Sequence, residues 1–256
     1  MKRFLILLCC CFAAPLWAQT VEVKKADIER LLLEWQAGMP IREELVGLGY
    51  AGANLEVAVT HVRRINSDPV IIGYVADLVI DAYENPKDIA VQANGFILPL
   101  VDRGMGHLPT SELVYFYKVE QAILGALPLR NCGQLVTGRL SSERYSRTVA
   151  AAASKLNTPA LKEYYRLQHK AARLGVTRQA KHLSDQRRDQ VEAMIQQGVE
   201  QQLQGHKDAK KLTRALKDPA RANTTQACVL SRLYVQEALA QTGADLRDTM
   251  IFLSMP

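Results

Sequence analysis

Residues 157–175 read NTPALKEYYRLQHKAARLG, and this stretch decides the fold. Thr158-Pro159 sets a capping residue before a proline at the first helical position, where the missing N–H costs nothing. Leu161, Tyr164, Tyr165, Ala171 and Ala172 then recur at helical spacing. The pattern predicts a helix to Leu174, with Gly175 as a left-handed stop.

Toward the C-terminus the same period continues. A long polar helix is predicted from Thr177 to Gln204, ended by Gly205. Its apolar stripe is thin: Val191, Met194 or Ile195, Val199 and Leu203, with Gly198 inside it. A stripe that narrow packs on one partner helix and is otherwise wet. The preceding helix is the natural partner, giving an antiparallel basic hairpin. A short helix follows over Lys207–Lys217, then one from Asn223 or Thr224 to Gln241, and a last one from Asp245 to Leu253. Toward the N-terminus, a helix is predicted that Ser141 and Ser142 lead and the alanine run 150–153 centres, and others over 111–127 (capped by Thr110 or Ser111), 88–101 with Pro99 as a kink or end, 69–82, 55–63 and 28–35. No Asn-Gly or Asp-Gly turn separates alternating apolar runs. The expected fold is all-α: a multi-helix body with a polar, basic helical hairpin in its C-terminal half.

Charge divides the chain. Residues 19–127 carry 9 Lys/Arg and 15 Asp/Glu, whereas 128–256 carry 21 and 11. The expected organisation is therefore a leader over 1–18, an acidic helical region over 19–127 and a basic one over 128–256. Either the two halves attract each other within the molecule, or the basic half meets an anionic partner.

The first residues, MKRFLILLCCCFAAPLWA, have the order of a secretory signal peptide. Lys2 and Arg3 are the positive region, Phe4–Ala14 the apolar core, and Ala18 the small residue at the cut. Leu7 and Leu8 precede the cysteines at 9–11, where a lipidated cysteine needs small residues. No later run approaches the roughly 20 apolar residues of a spanning helix. An exported protein of the bacterial periplasm is expected, with secretion beyond the outer membrane left open. After the cut, Cys132 and Cys228 remain, and an even pair in an oxidising compartment argues for one disulfide. That bond would clamp the base of the basic region.

No catalytic fingerprint stands out. Of His61, His107, His169, His182 and His206, no two share one helix face at three or four residues, so no metal site and no cofactor is expected. Gly104-Met-Gly-His107 lacks the lysine and hydroxyl of a phosphate loop and reads as an interhelical turn. The main functional candidate is a cationic set: Arg187 and Arg188 in the long helix, then Lys207, Lys210, Lys211, Arg214 and Lys217 on one face of the short helix, opposite Leu212 and Leu216. Residues 166–221 contain no Phe, Tyr or Trp, so the stacking residues of single-stranded nucleic-acid binding are missing. The expected function is a non-enzymatic accessory protein of the cell envelope that docks on an anionic protein or envelope component. The competing expectation is an envelope hydrolase, or a carrier of an apolar ligand, with a site assembled by tertiary contacts.

Overall fold

Asn157, not Thr158, caps the helix around which the rest of the chain is packed: its Oδ1 accepts from the Ala160 N–H at 2.8 Å. The structure, a computed structural model, describes residues 24–84 and 97–255. Among them are thirteen α-helices and no strand, so the body is all-α. The first half holds α1 (Lys25–Ala37), α2 (Ile41–Gly47), α3 (Gly52–Asn66), α4 (Pro69–Glu84), α5 (Ile97–Met105) and α6 (Thr110–Ala126). The second holds α7 (Leu129–Val136), α8 (Ser142–Ala153), α9 (Thr158–Thr177), α10 (Asp185–Leu203), α11 (Ala209–Lys217), α12 (Thr224–Ala240) and α13 (Gly243–Leu253). The signal-peptide reading of 1–18, and 88–96 of the predicted fourth helix, lie outside the described residues.

Helix α9 is the first hub. It packs against α3, α4, α5 and α6, and Leu161, Leu167, Ala171 and Ala172 lose all their solvent contact there. Gly175 does not stop the helix, which runs on to Thr177. Its lack of a side chain serves a crossing instead. A Cβ on Gly175 would lie 1.9 Å from the Leu100 carbonyl oxygen, and one on Gly104 would lie 1.8 Å from that of Ala171. The paired glycines let α5 and α9 approach backbone to backbone. Gly104 is therefore a helical residue of α5, and only Gly106-His107 belongs to a turn. Pro99 lies inside α5, which continues to Met105.

Helix α12 is the second hub, contacted by α6, α7, α10, α11 and α13. Cys132 of α7 and Cys228 of α12 are fully buried at disulfide distance, with Cα atoms 5.3 Å apart. Next to them a Cβ on Gly133 would meet the Thr224 carbonyl oxygen at 1.7 Å, so glycine sets this approach too. Arg232 of α12 reaches across to the end of α6, where its Nη2 donates to the carbonyls of Leu124 at 2.6 Å and Leu127 at 2.8 Å. A guanidinium there satisfies orphan carbonyls and the negative end of the helix dipole.

The polar helix buries the stripe the sequence indicates: Val191, Ile195, Val199 and Leu203 are all enclosed. Its neighbours are α12, α13 and α11, whereas α9 turns its apolar face to α3 and α5. Gly198 makes room for Glu237 of α12, whose carboxylate accepts from Gln202. The helix also starts later than Thr177. Residues 178–184 form an extended strap, and Ser184 caps α10 by accepting the Arg187 N–H. One hydrophobic cluster runs from Ile41 to Met250, so the core is continuous across residue 127.

Candidate partner-binding surface

Helix α11 is amphipathic in its simplest form. Leu212 and Ala215 are buried, and Leu216 packs against the core beside them. Lys210, Lys211, Arg214 and Lys217 are all exposed, as is Lys207 in the turn before the helix. Positions 210, 214 and 217 follow each other at four and three residues, so they line one face. The only carboxylate within this stretch is Asp208, 3.8 Å from Lys211 Nζ. Both partners are largely in water, where such a pair contributes little. The helix and the turn before it thus present five exposed cations, of which Lys211 alone has a carboxylate partner among the described residues.

Arg187 and Arg188 lie elsewhere in the interaction network. Arg187 Nε donates to Asp248 at 2.7 Å and its Nη2 to Asp245 at 2.6 Å, tying α10 to α13. Arg188 pairs with Asp185 and Asp189 of its own helix, both at 3.1 Å. Other cations of the basic half answer the acidic half directly. Arg166 and Lys170 of α9 hold Glu112 of α6 at 2.8 and 2.7 Å, and Arg173 lies 3.5 Å from Asp68. Cross-attraction between the halves is therefore real, and it is carried by α9. The cations of α11 take no part in it among the described residues.

Buried polar groups that the sequence did not pair also come together. Asp68 caps α4: its Oδ1 accepts the Val70 N–H at 2.9 Å and the Ile71 N–H at 3.3 Å. Its Oδ2 accepts from His169 Nε2 at 2.8 Å. His169 is thus the second partner of a helix cap, and no described hydroxyl or thiol is hydrogen-bonded to the pair. His61 stacks on Tyr165 with ring centroids 4.0 Å apart, and Tyr165 shares a 2.5 Å hydrogen bond with Tyr50. Burial, then repulsion from His169 and Arg64, pushes the His61 imidazole down to a pKa of about 3. Tyr164 donates to Glu120 across α6 and α9, and burial raises the Glu120 carboxyl above its ordinary range. These contacts join residues far apart in the chain. The Asn-Ser-Asp-Pro run at 66–69 signals the cap, but nothing local signals its histidine.

No described group of three or more His, Cys, Asp or Glu side chains is clustered to hold a metal ion. No described helix is long and apolar enough to cross a membrane. Comparison with protein-family models, curated proteins and solved structures yields no match.

Proposed function

We propose that the protein is a non-enzymatic accessory factor of the bacterial cell envelope that docks on an anionic protein or envelope component through α11. The observation that carries this reading is the division of labour among the cations. Arg166, Lys170 and Arg173 of α9, Arg187 and Arg188 of α10 and Arg232 of α12 engage carboxylates or carbonyls within the molecule. Lys210, Lys211, Arg214 and Lys217 are exposed on a helix fixed to the core by Leu212 and Ala215, and Lys207 is exposed in the turn that leads into it. A rigid, one-sided cationic face steers an anionic partner and fixes its register. The export signal over 1–18 and the cysteine pair support a periplasmic setting, since disulfides persist in oxidising compartments.

The test replaces Lys207, Lys210, Lys211 and Arg214 with glutamine and uses parent and variant as baits in envelope extract. Surface changes of this kind stay within about ±0.5 kcal/mol each, so the fold persists. A partner retained by the parent at low salt, released at high salt and not retained by the variant supports the reading. Retention of the same partners by both baits would overturn it.

A further inference from the structure

A second cationic feature is concave. A cavity of about 320 Å³ opens between the start of α6, the strap after α9 and α13. Arg178, Lys181 and Arg247 line it, together with His107, and no carboxylate is among its lining residues. None of the three cations forms an ion pair with a described acidic side chain. The strap that supplies two of them is held in place. His107 Nε2 donates to the Gln179 carbonyl at 2.7 Å. Gly106 lets the strap close in, because a Cβ there would come within 2.9 Å of Lys181 Cβ. Arg178 and Lys181 line this cavity, whereas Gln179, Ala180 and His182 border a neighbouring one. Thr110, the first residue of α6, forms part of the wall, and no side chain caps that helix end.

Three cations lining one recess repel one another, weakly where water reaches them as it does Arg178 and Arg247, and an anion bound among them turns that repulsion into attraction. Two guanidiniums and an ammonium around one small recess match a phosphate group, which accepts paired N–H bonds from arginine and carries two charges near neutral pH. Leu108, Leu113 and Ile251, all buried, close the recess on its inner side. We propose that this cavity binds the phosphate of a small phosphomonoester, either free in solution or as a lipid headgroup.

The test titrates the full protein with sodium phosphate and with glycerol 3-phosphate at constant ionic strength, following backbone amide shifts by NMR. Saturable shifts at Gly106, His107 and Lys181 are expected. Arg247→Gln and Lys181→Gln, separately, should each weaken binding by about tenfold, which corresponds to about 1.4 kcal/mol. The charge-removing changes on α11 should leave it unaltered. Sedimentation with vesicles of phosphatidic acid in phosphatidylcholine distinguishes the source. Loss of vesicle binding in Arg247→Gln points to a headgroup, and soluble binding without vesicle binding points to a free ligand. Absence of saturable shifts with both soluble probes, or binding that neither substitution weakens, would overturn the proposal.

Discussion

Gly104 and Gly175 occupy each other's crossing point: each glycine faces the backbone of the opposite helix where a methyl group would overlap a carbonyl oxygen. The contact needs no glycine conformational freedom, since both residues are helical. It needs the missing Cβ. Gly104→Ala or Gly175→Ala must separate α5 from α9, the helix that anchors the core. Overpacking typically costs about 1–3 kcal/mol and more where backbone must move. A fall in Tm of about 5 °C or more is expected for either substitution by circular dichroism. An unchanged Tm would show that the helices do not meet this closely.

The cysteine pair joins α7 to α12 over a sequence separation of 96. Thiol titration of the denatured, unreduced protein cut after Ala18 should find neither Cys132 nor Cys228 free. Cys132→Ser with Cys228→Ser should lower stability by about 2–4 kcal/mol, the usual range for a cross-link over a long loop. Two reactive thiols per chain would contradict the bond.

His61 makes stability depend on pH. The unfolded chain binds its proton below about pH 6.5, whereas the folded imidazole resists protonation until about pH 3. Stability from this group is therefore complete above about pH 6.5 and is lost as pH falls through that window. His61→Phe keeps an aromatic ring against Tyr165 and removes the proton. Between pH 6 and pH 4 the variant should lose less stability than the parent in urea unfolding, by at most about 1.4 kcal/mol per pH unit. Parallel profiles would contradict the buried neutral state.

Tyr164 supplies the donor that meets the Glu120 carboxyl, and its ring stacks on Phe116 with centroids 4.9 Å apart. Tyr164→Phe keeps the stack and strands the acid. It should cost about 1–3 kcal/mol. Glu120→Gln, which resembles the protonated acid, should cost less, and the double variant should show a non-additive loss. Additive losses in a denaturation cycle would show the two groups to be uncoupled.

What was legible in the sequence follows from distance along the chain. Helix existence was readable because periods of three and four are local. The buried stripe Val191, Ile195, Val199 and Leu203 emerged intact for that reason. Helices α2 and α7, of seven and eight residues, are too short to repeat a pattern and were missed. The break at Arg178 carries no glycine or proline, so the strap merged into α10. Gly175 resembled a stop because its crossing partner lies far back in the chain. Arg187 counted as a surface cation because its carboxylates are 58 and 61 residues away. The face of α11 was legible because all its members lie within eleven residues.

If α11 is the face that meets the partner, a photo-crosslinker on that helix should capture it. A benzophenone side chain placed at Lys210, and separately at Val46, which is 53% exposed on α2, would be irradiated in envelope extract. Charge attraction is screened over about 8 Å at physiological salt, so raising salt should weaken the encounter. A discrete adduct is expected from position 210 that disappears at high salt, and none from position 46. Adducts of equal yield from both positions, or an adduct from 46 alone, would contradict it.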